Sequence, residues 1–196
     1  MIKEKLEEKI IDAICSNDLV YFLQNRDKFN IDYRLKSENN DTLLLYSISD
    51  AESNIYRYFI ENGANLQALN NVGENLLHSA IYSGLKERVF EIIDKVDIDK
   101  QSIDGTTPLL LAIGLEKEEI ANHLIEVGVD INCQDQDGNR PIHLASYFGL
   151  FSVVKKLVDK GVEINVKTSK GNLPLALAVN EGHTEVVKLL YKLMYT

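Results

Sequence analysis

The segments GTTPLLLA (105–112), GNRPIHLA (138–145) and GNLPLALA (171–178) decide how this chain folds. Pro108, Pro141 and Pro174 are the only prolines in 196 residues, and they fall 33 residues apart. Proline suits the first turn of a helix, because its φ is already fixed near the helical value and its missing N–H would have no partner there. Each segment therefore predicts a helix that starts at or near its proline. Glycine keeps the same interval. Gly73, Gly105, Gly138 and Gly171 lead the segments amid Asn, Asp, Ser and Lys, a composition that marks turns. Gly84, Gly149 and Gly182 lie eleven residues after three of these leaders, and Gly63, Gly128 and Gly161 lie twenty-three after theirs, with Asn40 standing as the leader for Gly63. These glycines follow apolar runs, where a residue with positive φ ends a helix. Ten of the eleven glycines are placed in this way, Gly114 being the exception, so the spacing predicts a turn and two short antiparallel helices per unit.

A turn and two helices over 33 residues, with a Thr-Pro-Leu-like segment at the first helix and GHTEVVKLL (182–190) at the last, resembles the ankyrin repeat. The resemblance covers residues 37–196 and, more weakly, the first 36 through SNDLVYFLQ (16–24). It implies an all-α ankyrin-repeat solenoid of about six helix-turn-helix repeats with β-hairpin-like turns. The chain reads as one domain over 1–196, made of an N-terminal cap 1–36, repeats 37–69, 70–101, 102–134 and 135–167, and a C-terminal cap 168–196. In the unit 37–69, Asn40 replaces the leading glycine, a tolerable change because Asn enters the left-handed region more readily than most residues. The unit 70–101 is one residue short: EIIDKVDID (91–99) stands where KKLVDKGVEIN (155–165) stands two units later, without the helix-ending glycine. The junction Lys95–Asp99 is expected to be the least regular in the stack.

Second helices carry broad apolar stripes, such as Val153, Val154, Leu157 and Val158, that one repeat cannot bury alone. First helices add Leu109, Leu111 and Ala112, then Ile142, Leu144 and Ala145. The last stretch, Val186 to Tyr195, holds more apolar residues than an inner stripe needs. A short terminal helix folding its aromatics onto the preceding repeat is expected, with end-to-end pairing or a docking site as the alternative to a plain monomer.

The formal charge is −9 and the pI near 5.0, which disfavours a phosphate-tracking surface and hence nucleic acid, and favours a partner with a basic surface. Cys15 and Cys133 form no CxxC pair and no metal-ligand spacing, as in a reducing compartment, and no disulfide is expected. The opening MIKEKLEEKIIDAI (1–14) is too interrupted by charge for a signal peptide and reads as an amphipathic helix. No apolar run reaches the length of a membrane span. A soluble, acidic, cytoplasmic chain is expected.

Chemistry is sparse. His78 and His143 share one repeat position, five residues after the leading glycine, and so cannot converge on one substrate atom; they are expected to bond to turns. His123 and His183 have no nucleophile at a useful spacing, and no HExxH, GxSxG, phosphate-loop or GxGxxG segment occurs. No catalytic residue, metal site or cofactor is expected, and the chain is read as a non-enzyme. In proteins of the resembled family, contacts come from residues flanking the leading glycine and from the first helix nine and ten residues after it. That rule selects Val72, Tyr82, Ile103, Leu115, Asp137, Asn139, Tyr147 and Phe148 as partner-binding residues, with acids such as Glu38 and Asp50 at the rim. The resemblance thus implies a protein-protein interaction module using a concave face of turns and first helices. The alternatives are an inhibitor, such as a bacterial immunity or antitoxin protein masking a basic enzyme surface, or a host-directed effector.

Overall fold

The computed structural model describes residues 2–36, 39–49 and 53–195, with side chains from residue 6. The chain divides into two compact units, one ending at Asp97 and the other beginning at Ile98, within the Lys95–Asp99 stretch where the repeat loses a residue and its glycine. The first unit holds α1 (Ile2–Cys15), α2 (Leu19–Asn25), β1 (Arg34–Leu35), β2 (Asp41–Thr42), α3 (Leu43–Ser47), α4 (Asn54–Glu61), α5 (Leu76–Ser83) and α6 (Lys86–Ile92). The second holds α7 (Pro108–Gly114), α8 (Glu118–Val127), α9 (Pro141–Tyr147), α10 (Phe151–Asp159), α11 (Pro174–Asn180) and α12 (Thr184–Tyr195).

Each proline is the first residue of its helix, as its fixed φ demands. Where proline is absent, capping side chains start the helix instead: the Thr42 hydroxyl accepts the Leu45 N–H at 3.3 Å, and Asn75 Oδ1 accepts the Leu77 N–H at 3.1 Å. The helices are short, from five to fourteen residues, so packing holds them more than propensity does. First helices pack on first helices (α1 on α3 on α5; α7 on α9 on α11), and second helices on second (α2 on α4; α8 on α10 on α12). The only strand pairing among the described residues is the antiparallel Arg34–Leu35 with Asp41–Thr42, so the fold is an all-α repeat solenoid.

The cores follow the expected stripes. In the second unit Leu109, Ala112, Ile142, Ala145, Val153, Val154 and Leu157 are buried, while Val158 and Leu144 are only half-buried. In the first, Phe22 meets Phe29 and Phe59 edge to face at 5.4 and 5.3 Å, a geometry that aligns ring edge with ring face.

Backbone conformation repeats as strictly as sequence. The ten glycines on the beat have φ between 68° and 91°, and Gly114, the one off it, does not. Asn40, in place of a leading glycine, has φ 58°. Two residues before α2, α6, α8, α10 and α12 the turn between paired helices has positive φ: Gly84, Gly149 and Gly182 supply it, and Asn17 (52°) and Glu116 (55°) adopt it without being glycine. Gly149 is needed for space as well, since a Cβ there would stand 2.3 Å from Nδ1 of His183, whose Nε2 donates to the Tyr147 carbonyl at 2.8 Å.

The C-terminal expectation is corrected. Residues 184–195 form one continuous helix, α12, and its aromatics do not fold back: Tyr191 is 58% and Tyr195 66% exposed, their rings 4.7 Å apart. Both cysteines are free thiols; burial pushes Cys133 up to about 11, with its sulfur 3.2 Å from the Thr107 hydroxyl.

Candidate partner-binding surface

Leading turns are built by one device. The residue three before each leading glycine ties the turn shut: Asn70 Oδ1 accepts the Val72 and Glu74 N–H groups at 3.1 and 3.0 Å, and Asp135 Oδ1 accepts the Asn139 N–H at 2.8 Å. In the turn led by Gly105, the Asp104 carboxylate accepts from the Ser102 hydroxyl and the Thr106 N–H, and the hydroxyl bond holds it below the usual carboxylate range. Successive turns are then linked edge to edge. Asn71 N–H donates to the Asn39 carbonyl at 2.8 Å in the first unit; Gln136 N–H to Asp104 at 3.0 Å and Ser169 N–H to Asp137 at 2.9 Å continue the device in the second. This ladder also explains two leading glycines: a Cβ on Gly105 or Gly138 would press on the next turn's backbone, at 3.1 Å from Asp135 Cα and 2.9 Å from Ser169 N.

Beside each ladder, turns and first helices enclose a groove. The first unit's has a volume of about 510 Å³, lies between α3 and α5 with their turns, and takes in Val72 and Tyr82. The second unit's, about 230 Å³, lies between α9 and α11 and takes in Asp137, Asn139 and Tyr147. The equivalent tyrosines are open to solvent, Tyr82 54% and Tyr147 42% exposed. Tyr82 donates its hydroxyl to Glu74 Oε1 at 2.9 Å, and Tyr147 meets the half-buried Phe148 edge to face at 5.0 Å. Asn139 is half-buried and donates its side chain to Asp135 Oδ2 at 2.9 Å, so it braces the turn as well as facing the groove.

The other selected residues are not gathered into a groove. Ile103 projects from its turn, 69% exposed; Leu115 follows α7, 39% exposed; Phe148 caps α9. Glu38 and Asp50 lie outside the described residues. Conversely, Ser79, Leu144 and Leu177, each six residues after a leading glycine, line the grooves although the family rule omits them. Helical spacing was the available signal, since position six lies one turn before position nine on the same face.

The histidines at position five are parts of the frame. His143 is fully buried; its Nδ1 accepts the Arg140 N–H at 3.1 Å and its Nε2 donates to the Val166 carbonyl at 3.0 Å. That bonding requires the neutral ring, and burial holds its pKa below the ordinary value. His78, also buried, accepts the Asn75 N–H at 3.3 Å. Among the described residues, no group of three or more His, Cys, Asp or Glu could hold a metal ion, and no helix is long and apolar enough to cross a membrane.

No curated protein matches the chain. A family model described as ankyrin repeats (3 copies) matches over residues 10–104, 84–168 and 109–195, which together take in almost the whole sequence. With the same turn and paired helices recurring over those residues, the chain belongs to the ankyrin-repeat family.

Proposed function

We propose that this chain is a protein-interaction module that holds its partner on the face formed by leading turns and first helices. Ankyrin repeats generally mediate protein-protein interaction and typically serve as non-enzymatic scaffolds. The observation that carries the reading is that Tyr82 and Tyr147 occupy one repeat position, are exposed, and each open onto a groove between successive turns and helices. Exposed aromatics within a polar rim are the usual anchors of an interface. Val72, Asp137 and Asn139 extend these two patches, Phe148 flanks Tyr147, and Ile103 and Leu115 supply further contacts from the repeat led by Gly105.

The test is affinity purification with mass spectrometry, comparing the chain with its Tyr82→Ala, Tyr147→Ala double variant. The variant should lose the specific partner while its unfolding free energy changes by less than about 1 kcal/mol, as for surface positions. A large loss of stability would show the rings to be core; an unchanged set of captured proteins would place the contact elsewhere. The net charge of −9 favours, as a second reading, an inhibitor masking a basic enzyme surface. Inhibition of a captured enzyme by the purified chain would distinguish that role from an adaptor's.

A further inference from the structure

The second unit's groove, at about 230 Å³, has room for one side chain and falls below the roughly 300–1,000 Å³ of small-molecule pockets. Its floor is apolar: Leu144 and Leu177, both half-buried, lie beside the exposed Tyr147. Its rim carries Asp137 and Lys170, which stand immediately before the leading glycines of successive turns. Both are exposed, and neither side chain has a hydrogen-bond or ion-pair partner among the described residues, the other included. The side-chain amide of Asn172, also on the groove, is equally unengaged. The Thr168 hydroxyl accepts the backbone N–H of Asn172 at 3.2 Å, whereas in the preceding turn the Asn139 amide is bonded to Asp135. The other charges of these two repeats' turns and first helices do not line the groove: Asp135 holds Asn139, Arg140 lies 3.9 Å from Glu163, and Lys167 and Glu181, of opposite sign, are exposed outside it.

We infer that this groove seats an extended segment of the partner, with one apolar side chain entering between Leu144 and Leu177 against Tyr147. An acidic residue on one side of that anchor reaches Lys170, and a basic residue on the other reaches Asp137. Equivalent positions of stacked helices recur at about 8–10 Å, which an extended chain covers in about three residues at roughly 3.3 Å each. The two partner charges therefore stand about three residues apart with the anchor between them. An extended segment leaves its own backbone groups open, and the Asn172 amide both donates and accepts. Burial of the anchor supplies affinity, and the two charges fix the direction of the segment, since reversing it would set like charges together. The inference rests on the turn-and-helix face being the partner surface.

The test uses the full chain to select binders from a random peptide library displayed on phage, followed by solution affinities of the enriched peptides and amide shift mapping. Enriched peptides should share an apolar residue between an acidic and a basic one and should shift residues 137–177. Replacing the apolar residue by alanine should weaken binding about tenfold, and neutralising either peptide charge about threefold. These changes leave the protein unaltered, so their effect stands whether or not a variant folds. In the protein, Lys170→Glu should weaken binding about tenfold and be rescued when the peptide's acidic residue is made lysine. Asp137→Lys should be rescued when the peptide's basic residue is made glutamate. A purely structural role for either residue would give no such rescue. Peptides that shift residues 137–177 but tolerate loss of the anchor or of either charge, or whose binding to a folded variant is not rescued, overturn this segment chemistry and leave the binding face standing. Peptides that shift only residues 70–83 do the same. Peptides that shift only the second helices overturn both, and a selection that yields no binder of this pattern overturns the segment chemistry.

Discussion

Glu116 shows how far a repeat can bend a residue from its preference. It stands where Gly84, Gly149 and Gly182 stand and takes the same left-handed conformation, φ 55°, with its side chain exposed. A residue with a Cβ is disfavoured there, so Glu116→Gly should raise the unfolding free energy by about 1 kcal/mol, read as a higher urea midpoint at unchanged slope. A lower midpoint would mean that the greater freedom of glycine in the unfolded chain outweighs the relieved strain. His143 offers a second test at this scale. Its folded-state pKa is lowered, by burial first and by the nearby Arg140 charge second, against the bonds to backbone carbonyls. The unfolded chain therefore takes up the proton first as pH falls. Its contribution to stability is complete above the ordinary value of 6.5 and is lost as pH falls from there through the folded-state value. Following the imidazole by NMR alongside the urea midpoint checks this; a ring that titrates at or above its ordinary value in the folded protein would break the argument.

Elements were legible where one residue type has one physical use. Proline at a helix start and glycine at positive φ each admit little else, so α7, α9 and α11 begin where the prolines stand and the turns fall on the glycine beat. Legibility failed where neighbours decide. Nothing in the residue type of Glu116 announces a left-handed turn; only the stacking of the helices around it does. The grooves were legible at position nine through family likeness but not at position six, because Leu144 and Leu177, like Leu111 at the same position, read as core on a first helix although they line the groove. The final aromatics were misjudged because a short apolar segment can extend a helix or fold back, and here it extends α12. At the shortened repeat, α6 gives way to a 3-10 turn over Ile93–Lys95 and has no glycine to close it, unlike α8, which ends on Gly128 at φ 91°. Amide hydrogen exchange over Lys95–Asp99 should accordingly be faster than in α8 and α10, since local opening tracks poor closure of the backbone. Protection there equal to that of α10 would count against the assignment of this junction as irregular.

Across the whole molecule, one repeat position carries different weight according to what lies beyond it. Ile81, Ile113, Ser146 and Val179 are equivalent, each one residue after the conserved-in-register alanines Ala80, Ala112, Ala145 and Ala178. The first three are fully buried, whereas Val179 in the last repeat is 55% exposed, because no further helix pair in the described chain covers it. Tyr191, equivalent to the buried Ile93 and Ile125, is likewise 58% exposed. A stack of this kind sums repeat and neighbour terms, so a side chain that touches only its own repeat has lost its neighbour term. Ile113→Ala should therefore cost about 2–4 kcal/mol through lost burial and the cavity left behind. Val179→Ala should cost less than about 1 kcal/mol, in the range of surface substitutions. Urea unfolding of the two variants measures both. If Val179→Ala proved as costly as Ile113→Ala, the end face would have to be covered in solution, and a cost that fell on dilution would identify a second copy of the chain as the cover.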